Sequence, residues 1–143
     1  MTATATSPSH TPAAVPAVEL VDVDIVFADR PGEALRLLDG GRSREEILEA
    51  TGAVIGAAGV SLTIAPGEIC VLMGLSGSGK STVLRAINGL NRVSRGAVLV
   101  ADGDGRVDVA SCPPEVLRRL RQRRVAMVFQ QFALLPWRTV REN

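Results

Sequence analysis

The sequence GLSGSGKST occupies residues 74–82 and directly follows the apolar run ICVLM at residues 69–73. An uninterrupted apolar run of this length is typical of a β-strand that is buried on both faces. Residues 80–88 have the composition of a helix, which Gly89 is expected to end. The pattern G-x-x-x-x-G-K-[ST] therefore lies between a predicted strand and a predicted helix, as a phosphate-binding loop requires.

Each residue type in this loop suits an anionic ligand. The three glycines allow backbone N–H groups to turn inward and approach an anion closely. The N-terminus of the following helix adds the positive end of its dipole at the same place. Lys80 supplies a compact charge for β- and γ-phosphates, and the hydroxyls of Ser81 and Thr82 suit Mg²⁺. The alternative is a glycine-rich turn that binds no ligand.

The composition limits the classes of function. The chain has 143 residues, a net charge of +1 and 3% aromatic residues, which disfavours a nucleic-acid surface. Lys80 is the only lysine, whereas five arginines lie within residues 118–124. That basic run is either a nucleic-acid patch or a solvated helix face, and the near-neutral charge favours the helix face.

The only histidine, His10, lies in the N-terminal tail, so a histidine-dependent site is not expected. Cys70 and Cys112 are expected to be packed thiols.

The glycine-rich loop lies near the middle of the 143 residues, with predicted elements on both sides of it. Residues 1–17 form an Ala/Thr/Ser/Pro-rich leader that we expect to be disordered, with no signal-peptide pattern. No segment has the ~20 apolar residues needed to span a bilayer. Ser43-x-x-Glu46 is a capping box at the start of a helix. The other predicted strands are Val18–Phe27, 60–64, 69–73 and 125–129, together with 97–101 and 107–109 as a hairpin around residues 102–105. The other predicted helices are 33–38, 45–50 and one that Pro113-Pro114 open and that runs to about residue 121.

Two motifs together resemble the ATPases of ATP-binding cassette (ABC) transporters. GLSGSGKST, with Pro66-Gly67-Glu68 upstream, is similar to the family's Walker A region, and VFQQF at residues 128–132, followed by LPW, is similar to its Q-loop. The resemblance implies an α/β fold, a P-loop NTPase core with an N-terminal antiparallel β subdomain. It covers residues 18–143, the N-terminal part of an ABC ATPase domain. The family's signature motif, Asp-Glu strand and switch histidine follow the Q-loop and are not among the 143 residues, so we expect the core to be incomplete at its C-terminal end.

The resemblance also implies ATP and Mg²⁺ as cofactors and gives roles to particular residues. Gln130 matches the glutamine that contacts Mg²⁺ and the attacking water, with Gln131 as the alternative if the register shifts by one. Lys80 would be the other catalytic residue and Ser81 a metal ligand. Phe27 matches the aromatic residue that stacks on adenine, although a Phe at a strand end also occurs as core packing. The predicted cofactor-binding residues are Phe27, Gly74, Ser76, Gly77, Ser78, Gly79, Lys80, Ser81 and Thr82.

A helical insertion at about residues 30–55 makes the chain similar to the ATPase subunits of glycine betaine/proline and choline importers. The alternative is that this insertion is a surface decoration without a role in substrate choice. The resemblance implies uptake of a quaternary amine, a membrane-spanning permease subunit, a second ATPase subunit as dimer partner, an indirect link to a substrate-binding protein, and a cytoplasmic position on the inner face of the cell membrane. It implies an ABC-type ATPase, but we expect this chain alone to be inactive, because the downstream motifs are not in it. The alternative function is nucleotide binding without turnover.

Overall fold

The computed structural model describes residues 15–129 and 135–143, which fold around a four-stranded antiparallel sheet. Its strands run in the order β2-β1-β3-β4, with β1 at Val18–Phe27, β2 at Val54–Ile64, β3 at Arg95–Asp102 and β4 at Gly105–Asp108. The helices of the described residues are α1 at Gly32–Asp39, α2 at Arg44–Thr51, α3 at Lys80–Ile87 and α4 at Pro114–Arg123. The antiparallel β subdomain, the β3–β4 hairpin and the four helices predicted from sequence are thereby confirmed. Residues 1–14 of the predicted leader lie outside the described residues.

Strand β1 lies in the middle of the sheet and carries an irregularity at Asp22. The backbone of Asp22 has φ of +45°, and the register with both neighbouring strands shifts close to it. Gly96 in β3 makes this possible, because a Cβ on Gly96 would lie 2.3 Å from the Asp22 carbonyl oxygen. Residues 23–26 are all buried beyond the shift, so that the alternating pattern expected for β1 ends there.

The sheet is covered by two hydrophobic clusters. The consecutive residues Ile25 and Val26 belong to different clusters, because successive side chains of a strand point to opposite faces. The larger cluster joins the sheet to α3 and α4, with Val83 of α3 and Leu120 of α4 both buried in it. The smaller cluster joins the sheet to the α1–α2 insertion and consists of Val26, Ala34, Ile47, Ala53 and Ile55. The insertion is therefore packed onto the sheet.

The α1–α2 insertion is also held by local hydrogen bonds. The predicted capping box is confirmed: the Glu46 N–H donates to Ser43 Oγ at 3.2 Å, and the Ser43 N–H donates to Glu46 Oε2 at 2.7 Å. The Ser43 N–H, followed by the Arg42 guanidinium, holds the pKa of the Glu46 carboxyl group below its ordinary value. Gly52 ends α2 in the left-handed conformation with φ of +69°.

Arg95 of β3 connects the insertion to the buried interior of the sheet. Its Nε donates to Asp24 Oδ2 at 2.6 Å, and its two terminal nitrogens donate to the carboxylate of Asp39 at 2.8 Å each. Asp24 is only 2% exposed, and its other oxygen accepts the Gly59 N–H at 2.7 Å. Hydrogen bonding to Arg95 lowers the pKa of Asp39, and the two carboxylates together raise the pKa of Arg95.

Two apolar runs that were predicted to be buried strands are not strands in the structure. Residues 69–73 and 125–129 are irregular, with Ile69 91% exposed and Val128 97% exposed. A strand exists through hydrogen bonds to a neighbour, and within the described residues neither run pairs with the sheet. The expectation that Cys70 is packed is wrong for the same reason, since Cys70 lies in the first of these runs and is exposed. Strand β2 begins at Val54, six residues before the predicted start.

Three arginines in α4 or just after it form hydrogen bonds with other parts of the fold, which the sequence did not predict. Arg119 and Arg124 both donate to the carboxylate of Asp102 at 3.0 Å, and Arg121 donates to the carbonyl oxygens of Asn88 and Gly89 at the end of α3. All five arginines are exposed, as expected for a solvated helix face, and three of them also make these contacts. None of the helices in the described ranges is both long and apolar enough to cross a bilayer.

Candidate nucleotide-binding site

The glycine-rich loop is placed by a close contact between β2 and the start of α3. Gly79, the residue before α3, has φ of +95°, and a Cβ on it would lie 2.4 Å from the carbonyl oxygen of Gly56 in β2. A Cβ on Gly56 would in turn lie 2.6 Å from Cε2 of Phe27 and 2.9 Å from the methyl group of Thr82. Two glycines therefore allow β1, β2 and α3 to approach one another at the loop.

The Lys80 ammonium forms hydrogen bonds with three residues of the glycine-rich loop. Its ammonium donates to the carbonyl oxygen of Gly74 at 2.8 Å, to that of Leu75 at 2.6 Å and to the hydroxyl of Ser78 at 3.3 Å. The Ser78 N–H donates to the Leu75 carbonyl at 3.2 Å and closes a turn within the loop. The same cation thus fixes the loop's shape and brings a positive charge to it.

The start of α3 offers hydrogen-bond donors to the space above the loop. The first N–H groups of a helix have no acceptor within the helix, and Gly79 provides no side-chain cap for them. No acidic residue lies in the first turn of α3. The helix dipole, these N–H groups and Lys80 therefore combine into a positive, donor-rich surface that suits phosphate oxygens.

A cavity of about 520 Å³ brings together most of the predicted binding residues. Seven of them line it: Phe27, Ser76, Gly77, Gly79, Lys80, Ser81 and Thr82. Phe27 is 47% exposed, so its ring faces this cavity instead of being enclosed in the core. Gly74 and Ser78 line a neighbouring cavity of about 280 Å³, which shares Gly79 and Lys80 with the first. Gln130 and its alternative Gln131 lie outside the described residues.

Three residues of this cavity were not predicted from the sequence. Val54, Ile55 and Gly56 of β2 line it beside Phe27. Gly56 interrupts an otherwise apolar stretch, and a glycine inside a strand often marks a place where another backbone approaches closely. That signal was available in the sequence, but the approaching element was not.

Comparison with known proteins gives a consistent result. The family model described as "ABC transporter" matches residues 57–143. The chain is 45% identical over 126 residues to the glycine betaine/proline betaine transport system ATP-binding protein ProV of Escherichia coli. This match covers 88% of this chain and 30% of that protein. It is also 42% identical over 135 residues to the methionine import ATP-binding protein MetN 2 of Paraburkholderia xenovorans, covering 94% of this chain and 29% of that protein.

A solved structure supports the same family. The ATP-binding cassette MJ0796, in a dimeric post-hydrolysis state bound to ADP and Pi, superposes with a TM-score of 0.61 at 26% sequence identity, covering 84% of this chain and 41% of that one. The chain spans about 30% of the length of the curated relative from Escherichia coli. The family model covers more than half of the chain, and the glycine-rich loop that builds the cavity lies within the matched residues. The chain belongs to the ABC transporter family, and its core is that of an ABC ATPase.

Proposed function

We propose that the protein is the ATP-binding subunit of an ABC importer that couples ATP hydrolysis to uptake of a quaternary amine of the choline or glycine betaine type. The observation that carries ATP binding is the cavity in which Phe27 and the residues of the glycine-rich loop face the same space. An aromatic surface at one end and a positive, donor-rich loop at the other match the base and the phosphates of one nucleotide.

Each of these residues has a proposed role toward ATP and Mg²⁺. Phe27 stacks on adenine, while the loop N–H groups and Lys80 bind the phosphates. Ser81 lies beside Lys80 on the cavity wall and offers a hydroxyl oxygen to Mg²⁺, and Gln130 supplies a second oxygen toward the metal and the attacking water. Mg²⁺ would neutralise charge on the phosphate oxygens. The loop fits the phosphates, because Lys80 is cationic and residues 74–82 contain no carboxylate, and the hydroxyl oxygen of Ser81 fits Mg²⁺.

A binding experiment tests the proposed nucleotide site. Lys80→Ala removes charge-assisted hydrogen bonds, so we expect ATP affinity to fall by about 10- to 100-fold in calorimetric titration of the full chain. Arg85→Ala is the matched control, since it removes a positive charge from the last turn of the same helix at a residue that does not line the cavity. Unchanged ATP affinity in Lys80→Ala would contradict the site.

A second comparison isolates the role of Phe27. Phe27→Ala is expected to weaken ATP binding by about 3- to 10-fold through loss of stacking, and to leave the affinity for inorganic tripolyphosphate unchanged, because that ligand has no base. Phe27→Trp should retain ATP binding. Val21→Ala, which shortens another partly exposed residue of β1, serves as the control. Equal losses for both ligands would show that Phe27 acts only on the fold.

Nucleotide binding without turnover is the alternative. The two proposals differ in steady-state phosphate release by the purified chain. Turnover that Lys80→Ala abolishes would overturn the alternative, and with it the expectation that this chain alone is inactive.

The substrate proposal draws on relatives whose names specify transport of methylated nitrogen compounds. Besides ProV, these include the trimethylamine N-oxide transport protein TmoW of Ruegeria pomeroyi, 40% identical over 128 residues, covering 90% of this chain and 36% of that protein. Partners would be a permease subunit, a second ATPase subunit and, through the permease, a substrate-binding protein. The location would be the cytoplasmic face of the membrane.

Uptake measurements in cells test the substrate class. Disruption of the gene should reduce uptake of labelled glycine betaine or choline, and the wild-type gene, but not the Lys80→Ala variant, should restore it. A loss confined to methionine uptake would overturn the quaternary-amine proposal, and a loss confined to trimethylamine N-oxide would narrow it to another methylated compound.

A further inference from the structure

The three N–H donors of the Lys80 ammonium are all used within the glycine-rich loop. A lysine ammonium carries three donors and no acceptor. The acceptors here are the carbonyl oxygens of Gly74 at 2.8 Å and Leu75 at 2.6 Å and the hydroxyl oxygen of Ser78 at 3.3 Å. A phosphate oxygen that accepts a hydrogen bond from Lys80 must therefore compete with one of these three oxygens.

The Ser78 hydroxyl is the acceptor that Lys80 can give up most easily. At 3.3 Å it lies at the long end of the hydrogen-bond range, whereas both carbonyl oxygens lie at ordinary or short distances. The Leu75 carbonyl oxygen is also held by the Ser78 N–H at 3.2 Å, so it moves only with the loop backbone. A serine hydroxyl moves by rotation about one side-chain torsion, which leaves the backbone in place.

Lys80 lies between two cavities, and Ser78 belongs to the smaller one. Lys80 lines both the candidate nucleotide cavity of about 520 Å³ and the neighbouring cavity of about 280 Å³. Ser78 and Gly74 line the smaller cavity, and neither lines the larger. Gly74 makes room for the serine hydroxyl, because a Cβ on Gly74 would lie 2.9 Å from Ser78 Oγ. The hydroxyl thus contacts the ammonium from the smaller cavity, while a phosphate in the larger cavity would approach it from another direction.

A hydrogen bond between an ammonium and a phosphate oxygen is stronger than one between an ammonium and a neutral hydroxyl, because both groups are charged. We propose that Ser78 and the phosphates of the nucleotide compete for the same N–H of Lys80, so that binding breaks the Lys80–Ser78 hydrogen bond. The lost bond offsets part of the gain from the new one, and Ser78 therefore lowers the affinity of the loop for phosphate. Ser78 acts through Lys80 as a positioning residue, and this role rests on the proposed function.

Calorimetric titration of the full chain with inorganic tripolyphosphate measures the effect of this competition. Ser78→Ala has no hydroxyl bond to lose, so we expect its Kd for tripolyphosphate to be about 3-fold lower than that of the wild type. Ser76→Ala is the matched control, because it removes another hydroxyl of the same loop that is not among the three acceptors of Lys80. We expect no tighter binding in this control.

A spectroscopic measurement follows the hydrogen bond itself. Lys80 is the only lysine of the chain, so lysine labelled at its side-chain nitrogen gives one ammonium signal in a magnetic resonance spectrum. Before tripolyphosphate is added, the signals of wild type and Ser78→Ala should differ, because one acceptor is missing in the variant. At saturation the two signals should coincide, because the Lys80–Ser78 bond is absent in both. If Ser78 only stabilised the fold, the two signals would still differ at saturation.

The outcomes separate this inference from the proposed function. Lys80→Ala may lower the affinity for tripolyphosphate while Ser78→Ala binds it no more tightly than the wild type. In that case, or if the two signals still differ at saturation, the competition is wrong and the nucleotide site stands. If Lys80→Ala and the wild type bind tripolyphosphate equally, the nucleotide site fails and the competition fails with it.

Discussion

Gly56 of β2 and Gly79 before α3 meet backbone to backbone, with the Gly56 carbonyl oxygen only 2.4 Å from the place where a Cβ on Gly79 would lie. Because this contact sets the distance between the sheet and the loop, the position of Lys80 depends on two residues that have no side chain. The wall of the candidate site therefore depends on two glycines as well as on the side chains that line it.

Gly56→Ala is expected to lower the free energy of unfolding by about 1–3 kcal/mol, because the new methyl group must displace the Phe27 ring and the Thr82 methyl. It should also weaken ATP binding, since both neighbours line the cavity. Urea unfolding and calorimetric titration measure the two effects. Gly32→Ala is the control, because a Cβ there meets nothing within 4 Å. Equal stability of the two variants would contradict the contact.

Arg95→Met is expected to destabilise the fold strongly. It leaves the carboxylate of Asp24, 2% exposed, without its cationic partner, and an unpaired buried charge costs about 3–5 kcal/mol. Asp39→Asn should cost much less, because that side chain of the same ion-pair group is exposed. Chemical denaturation of both variants gives the comparison. A larger loss for Asp39→Asn would mean that Asp24 does not depend on Arg95.

Acid is expected to destabilise the protein through carboxyl groups whose pKa is lowered in the folded state. Hydrogen bonds, mainly from Arg95 to Asp39 and from Arg124 to Asp102, lower the pKa of these two carboxyl groups below the ordinary value of 3.8. The Ser43 and Thr139 N–H groups do the same for Glu46 and Glu142, whose ordinary value is 4.5. The folded chain then binds fewer protons than the unfolded chain, so this stability is full above these ordinary values and is lost as pH falls through the lowered ones.

Urea midpoints between about pH 7 and pH 3 test that direction. The decrease should begin only near the ordinary carboxyl pKa values, and Asp102→Asn should make it smaller, because the amide does not titrate. A midpoint that rises on acidification, or the same decrease in Asp102→Asn, would contradict the proposed origin.

Ser43→Ala is expected to lower the free energy of unfolding by about 1 kcal/mol, because it leaves the Glu46 N–H without its acceptor at the start of α2. Ser43→Gly should cost only a few tenths of that, since glycine is itself favourable at this position. Thermal unfolding of the two variants supplies the measurement. If alanine and glycine were equivalent, the serine hydroxyl would have no role in the cap.

The elements that depend on nearby residues were predictable from the sequence. The capping box joins residues three apart, and the hairpin joins strands separated by two residues, so local chemistry specifies both. The early start of β2 was hidden because Gly56 and Gly59 interrupt its pattern of apolar and polar residues. Residues 69–73 look like a strand by composition, but composition does not supply the neighbour with which a strand must pair.

For the candidate site, too, the local motif was predictable and the long-range contacts were not. The motif GLSGSGKST identified the loop residues without any knowledge of the fold. The convergence of Phe27 and Gly56 on that loop depends on the pairing of β1 with β2 across the insertion, a long-range relationship that no local pattern encodes. The roles of the individual residues, including Gln130, stay predictions.

The position of β1 has a consequence for the order in which the sheet can be assembled. Of the strands in the described residues, the first to be synthesised is β1, an interior strand whose two partners are β2 and β3. The second of these lies beyond the glycine-rich loop and α3 in the chain. One edge of β1 therefore stays open during synthesis until the β3 segment has emerged, and the loop that would hold ATP is already made before the sheet beneath it can close.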